Sequence, residues 1–270
     1  MSGMKELVSI ITPVFNGIKY LEGCVQSVLE QDYPHIEHVF IDAGSADGTV
    51  ELLKEYSLKY PGRIRFLSEP DNGPGDGWNK GLKMAKGSIF GCLGYDDLYT
   101  PDAVSTVVEF LTAHPEAFFV HANCDLINGD GEVIGRHNVR GFDYQAFADT
   151  ALHISTTSAF YRREVMEKIG WLDSSGDDFD VMLRITKNFK AYGIDKVISS
   201  LRIHDSFFNP DNFHKRIKMY RQTYEVSRKY GGRVFSPLAL RYYICLIINR
   251  THLEFAFPIL RKSYRKLRRI

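Results

Sequence analysis

The sequence predicts an α/β protein: a Rossmann-like layer of parallel strands with helices on its faces, followed by a helical C-terminal extension. Three observations carry this. Short apolar runs at 7–11, 36–41, 64–67 and 89–93 alternate with stretches of helical apolar spacing. Four strand–helix alternations in a row give a parallel sheet with covered faces. The fourth apolar run ends on paired carboxylates, Asp96-Asp97, at the edge where open α/β sheets bind ligands. No G-x-G-x-x-G accompanies the first strand, which argues against a dinucleotide.

Taken in order, residues 7–11 read as a buried strand stopped by Thr12-Pro13, and Leu21, Val25, Val28 and Leu29 recur at helical spacing as far as Gln31. The second strand, 36–41, ends at Asp42-Ala43-Gly44-Ser45, and Val50, Leu53 and Tyr56 share one side of the next helix. After the third strand, 64–67, turn formers run through Gly77, and a short helix follows around Trp78, Leu82 and Ala85. The fourth strand lies between Gly87 and Gly94, and Thr100-Pro101 reads as an N-cap with proline at the first helical position. Val104, Val107, Val108 and Leu111 then mark an amphipathic helix.

Residues 117–127 are extended, with a turn at Asn128-Gly129-Asp130-Gly131 before Val133-Ile134. Residues 136–155 carry no readable period. A strand at 158–161 and a short helix at 163–169 follow. Gly176-Asp177-Asp178 opens a helix through Met182, Leu183 and Ile185, and 193–204 are extended. From Asn212 onward the chain reads as two or three helices, broken near Gly231-Gly232 and Pro258.

With 270 residues, 44% hydrophobic, the chain can build one large domain or one domain with an appendage. A charged fraction of 25% and a net charge of +1 give no sign of a nucleic-acid binder or a disordered chain. Four well-separated cysteines without a C-x-x-C suit buried thiols in a reducing compartment. The opening residues do not read as a signal peptide, and the apolar run at 242–248 is too short to span a bilayer. The expected location is cytoplasmic.

Acids fall at the ends of elements four times: Asp42, Asp76, Asp96-Asp97 and Asp177-Asp178. Each taken alone is accounted for as a turn or cap residue. Together they point to a site for a nucleotide and a hard divalent cation, with one carboxylate left over as a base.

Several motifs follow in order along the chain: Val8-Ser9-Ile10-Ile11-Thr12-Pro13-Val14-Phe15-Asn16-Gly17, Ser27-Val28-Leu29-Glu30-Gln31-Asp32-Tyr33-Pro34 and Ile41-Asp42-Ala43-Gly44-Ser45-Ala46-Asp47-Gly48-Thr49. Glu69-Pro70-Asp71-Asn72-Gly73, Asn79-Lys80-Gly81, Tyr95-Asp96-Asp97 and, more loosely, Arg202-Ile203-His204 continue the series over about residues 7–205. In this order they resemble the motifs of family 2 glycosyltransferases with the GT-A fold.

The resemblance implies a mixed, mainly parallel sheet and an inverting transferase that takes its sugar from a nucleotide diphosphate, UDP being the expected carrier. It implies a nucleotide-sugar pocket at Thr12, Pro13, Phe15, Asn16, Asp42, Asp76, Lys80, Tyr95 and Asp96, with Asp42 accepting from the base. Asp96 matches the last Asp of the family's D-x-D motif, whose first Asp is Gly94 here. Mn²⁺ or Mg²⁺ is expected on Asp96, Asp97 and His204. Asp177-Asp178 stands at the family's Glu-Asp, with Asp178 as the base that deprotonates the acceptor hydroxyl. His153 and Trp171 are candidates for the acceptor side, with packing the alternative.

The expected acceptor is a saccharide or a lipid-linked saccharide in polysaccharide or glycolipid assembly. The expected division is a GT-A domain over 1–205 and a helical extension with a basic tail over 206–270. The extension has two open readings: a helix peripheral on the inner face of the membrane, or helices packed on the domain or on a partner subunit. Two rival functions remain, a sugar-phosphate nucleotidyltransferase and a nucleotide-binding module with weakened catalysis.

Overall fold

A computed structural model of the chain describes residues 6–139, 141–151, 154–172, 178–203 and 213–250, with backbone alone for 213–216 and 248–250. The first half runs β1 (Val8–Val14), α1 (Ile18–Leu29), β2 (Ile36–Asp42), α2 (Thr49–Lys59), β3 (Ile64–Ser68), α3 (Pro74–Met84) and β4 (Ile89–Cys92). Next come β5 (Leu98–Tyr99), α4 (Ala103–Ala113), β6 (Phe119–Ile127), β7 (Val133–His137) and α5 (Tyr144–Thr150). The remainder is β8 (Ala159–Arg162), α6 (Arg163–Ile169), α7 (Asp178–Asn188), β9 (Ala191–Arg202), α8 (Phe213–Lys229) and α9 (Pro237–Arg250).

The strands form one mixed sheet in the order β3-β2-β1-β4-β8-β6-β9-β5, with β7 paired to β6. β3, β2, β1 and β4 are parallel, as the strand–helix alternation requires. β8 runs antiparallel to β4 and β6, while β9 lies parallel to β6. Every residue of β2 is buried, as expected of a strand covered on both faces. Val14, Leu21, Val25, Phe40 and Leu53 form one apolar cluster, and Ile10, Val28, Val104, Val107 and Phe160 belong to another.

Contacts divide the described residues into two compact units. One lies within Met1–Phe142 and His153–Arg202, the other within Asp143–Leu152 and Ile203–Ile270. The second contains α5, α8 and α9. Within it, the Tyr144 hydroxyl donates to the Tyr230 carbonyl at 3.0 Å and Ser227 Oγ donates to the Ala148 carbonyl at 2.6 Å.

Three local expectations are corrected. β1 does not stop at Thr12-Pro13 but continues to Val14. Ile11 accepts from Leu93 on the β4 side, Val14 accepts from Ala43 on the β2 side, and β4 pairing ends at Ile11. By alternation the missing N–H of Pro13 faces the side where no partner follows, so the strand tolerates it. Thr100-Pro101 is a turn rather than a cap and first turn. The two-residue β5 pairs with β9 just before it, and α4 starts at Ala103. The turn-rich loop is shorter than expected because α3 begins at Pro74, a proline in the first turn.

His38, on β2, is fully buried with Nε2 2.9 Å from Thr12 Oγ1. Burial and the nearby Arg63 cation push its pKa down to about 3. An unfolded His titrates near 6.5, so the folded state holds this imidazole neutral where the unfolded chain protonates. Its contribution is complete above about pH 6.5 and is lost as pH falls toward the folded value. Between pH 7 and 5 the unfolding free energy is expected to drop by about 2 kcal/mol through this group. Urea titrations of the wild type and His38→Gln measure this, and equal pH slopes in the two would refute it.

Candidate active site

β1 and β4 pair only as far as Ile11 opposite Cys92, and beyond that point their carboxyl ends diverge. The chain leaves β1 toward β2 on one side and reaches β4 on the other, so this is the sheet's topological switch point. A cleft of about 660 Å³ opens there.

Five expected residues meet in that cleft. Pro13 and Phe15 come from the end of β1, Tyr95 and Asp96 from the turn after β4, and Asp178 from the first turn of α7. Thr156 Oγ1 donates to Asp178 Oδ2 at 3.3 Å. Burial, reinforced by the Asp178 charge, pushes the Cys92 thiol pKa well up.

The paired aspartates divide. Asp96 lines the cleft, whereas Asp97 is only 4% exposed. Asp97 Oδ1 accepts the Arg202 backbone N–H at 2.8 Å, and Oδ2 accepts the Thr157 hydroxyl at 3.0 Å. Burial and the adjacent Asp96 carboxylate push the Asp97 pKa up to about 6. The oxygens of Asp97, expected as a metal ligand, tie the motif turn to β9 and Thr157. Arg202 completes the tie, with Nε donating to the Asp96 carbonyl at 2.9 Å and Nη1 to the Asn128 carbonyl at 2.9 Å. A side chain at Gly94 would have to displace the two carboxylates. A Cβ there would lie 2.6 Å from Asp97 Oδ2 and 2.9 Å from Asp96 Oδ1.

Other expected pocket residues lie outside the cleft lining. The Thr12 side chain is fully buried against His38. Asp42 is buried beneath its own turn, where Oδ2 accepts the Gly44 and Ser45 N–H groups and the Ser68 hydroxyl. Its neighbour Ala43 faces the cleft instead. Asn16, at φ 49°, staples the β1 and β2 loops: its N–H donates to Ser45 Oγ and its Oδ1 accepts the Ala46 N–H. Lys80 pairs with Glu69 at 2.9 Å and with Asp76 at 3.5 Å. The Asn72 N–H and the Lys80 cation hold the Asp76 pKa down. Asp177, His204 and His153 lie outside the described residues. Trp171 is exposed, with Lys83 Nζ 5.2 Å over its ring, while the adjacent Leu172 lines the cleft.

The sequence reading missed Asp71, Trp78, Cys92, Thr156 and Tyr161, all cleft-lining. Asp71 reads only as a turn former, and the two aromatics read only as core. The Trp78 and Tyr161 rings meet edge-on at 6.3 Å, and Trp78 Nε1 and Tyr161 Oη are buried without a protein hydrogen-bond partner. Among the described residues no group of three His, Cys, Asp or Glu side chains is assembled to hold a metal. Asp96 offers a hard oxygen donor, and Mg²⁺ or Mn²⁺ binds through one or two carboxylates plus substrate phosphates, so the donor set fits such an ion.

A parallel βαβ half with a carboxylate-bearing cleft at its switch point is the architecture of the GT-A fold. The fold is shared with the mannosyltransferase PcManGT from Pyrobaculum calidifontis, solved with GDP-Man and Mn²⁺, at a TM-score of 0.65 and 19% identity over 98% of this chain and 81% of that one. It is shared also with S. aureus TarS residues 1–349, solved with UDP-GlcNAc, at a TM-score of 0.61 and 17% identity over 79% and 65% of the two chains. The chain belongs to glycosyl transferase family 2, whose sequence model matches residues 9–170.

Among curated relatives, the putative teichuronic acid biosynthesis glycosyltransferase TuaG of Bacillus subtilis is 27% identical over 84% of this chain and 91% of its own length. Two uncharacterized Rickettsia glycosyltransferases are longer, and this chain spans 65% of one and 19% of the other.

Proposed function

We propose that the protein is an inverting, divalent-cation-dependent glycosyltransferase. It moves a sugar from a nucleotide diphosphate carrier, UDP foremost, to a hydroxyl of a saccharide or lipid-linked acceptor. One observation carries this reading: Asp96 and Asp178, from elements far apart in the chain, line the same cleft at the carboxyl edge. Phe15, more than half exposed at the end of β1, offers a ring on which a nucleobase stacks. Trp78 and Tyr161, which line the cleft wall, offer aromatic surface for a sugar ring to pack on.

Asp96 is the residue that would hold the cation, which would supply positive charge to neutralise the departing diphosphate. Asp178 accepts the proton of the incoming hydroxyl. Attack opposite the leaving group inverts the anomeric centre. Thr156 orients the base through its hydroxyl.

Incubation with UDP-sugars and Mn²⁺ is expected to release UDP, faster with an acceptor saccharide present. No release from any common nucleotide sugar would reject the reading. Gly94, standing where the D-x-D motif has its first Asp, and Ala43 beside Asp42 favour a second one, a binding module with weakened catalysis. Calorimetric UDP binding that ignores metal, together with full cellular function of Asp178→Asn, would select it.

A further inference from the structure

Helix α9 has an inverted outer face. It packs on α8 and α5 and buries Leu238, Ala239 and Cys245. Leu240 (62% exposed), Tyr243, Ile244 and Ile247 look outward at helical spacing. Every exposed residue between Pro237 and Ile247 is apolar or tyrosine. In the link before the helix, Phe235 is 93% exposed and Val234 about half exposed. An outward helix face in water is normally polar, and a contiguous apolar surface marks an interaction site.

Charge identifies the occupant. Residues 203–270 contain fifteen Lys or Arg against four Asp or Glu, whereas residues 1–202 contain nineteen against twenty-nine. The near-zero net charge of the whole chain conceals this division. Six of the fifteen cations fall at 261–269, outside the described residues. A second copy meeting this face through its own would set two strongly basic segments against each other. An anionic bilayer instead complements both properties: apolar side chains enter the acyl boundary while Lys and Arg meet the headgroups. No described helix is long and apolar enough to cross a membrane, so the contact is interfacial.

We propose that the Phe235–Ile247 face docks on an anionic phospholipid surface, with α9 lying in the headgroup plane. This stands apart from the assignment of donor and base. Flotation of the full chain with phosphatidylcholine vesicles, with and without phosphatidylglycerol, tests it. Binding is expected only with the anionic lipid and to weaken in high salt. Phe235→Glu with Leu240→Glu is expected to lower the bound fraction about tenfold or more, since charge replaces the inserting apolar groups. Both side chains are exposed, so the far-UV spectrum and melting temperature should hold.

Absence of binding to anionic vesicles at low salt would overturn the proposal, as would equal binding by the double variant. Loss of a dimer in the variant, with vesicle binding intact, would assign the face to a second copy instead.

Discussion

Asp178→Asn is expected to slow sugar transfer by about 10²–10⁴-fold, the usual contribution of a general base, while nucleotide affinity stays within a factor of two. Asn keeps the size of the side chain and an oxygen able to accept from Thr156, but it cannot take a proton at neutral pH. The loss of a negative charge at the first turn of α7 should cost about 0.3–1 kcal/mol of stability. That is too little to unfold the protein. Single-turnover transfer and calorimetric titration with UDP separate the two effects. Transfer within tenfold of the wild type, or a parallel loss of UDP affinity, would remove Asp178 from the role of base.

Asp96→Ala is expected to act on the donor instead. Without the cleft-facing carboxylate, Mn²⁺ should no longer strengthen nucleotide-sugar binding, a loss of about tenfold to a hundredfold on the scale of a disturbed metal environment. Asp97→Ala supplies the contrast. It strips acceptors from the Arg202 N–H and the Thr157 hydroxyl, so its effect is expected in stability, about 1–3 kcal/mol. Titrating UDP-sugar with and without Mn²⁺ against each variant, alongside urea unfolding, distinguishes them. If Asp97→Ala removed the metal effect and Asp96→Ala did not, the split between the two aspartates would be reversed.

The parallel half was legible because buried strands and one-sided helices leave different periods in the sequence. β2 and α1 illustrate the two kinds. α5 was not legible, since it buries Phe147, Ala148 and Asp149 in succession without a helical stripe. Its place depends on contacts with residues that follow much later. In the cleft, Asp96 and Asp178 stood out as acids at element ends. What their sequence positions did not convey was direction. Asp42 and Asp97 share the same residue type and setting, yet their oxygens are absorbed by backbone N–H groups and hydroxyls beneath the surface. Trp78 and Tyr161 escaped notice because a cleft-wall aromatic and a core aromatic look identical until the fold aligns one of them with the cavity.

Arg202 reaches the motif turn from the end of β9, and its guanidinium also rests 4.5 Å over the Tyr20 ring. This has a consequence for the order of synthesis. A nascent chain that has emerged only to residue 170, the limit of the family signature, holds Asp96 and Asp97 but neither the strand nor the cation that fastens them. The acidic turn can lock only after translation has passed residue 202. An expression fragment cut at the edge of the recognisable signature should therefore misplace the cleft carboxylate, and a minimal catalytic fragment has to run through Arg202.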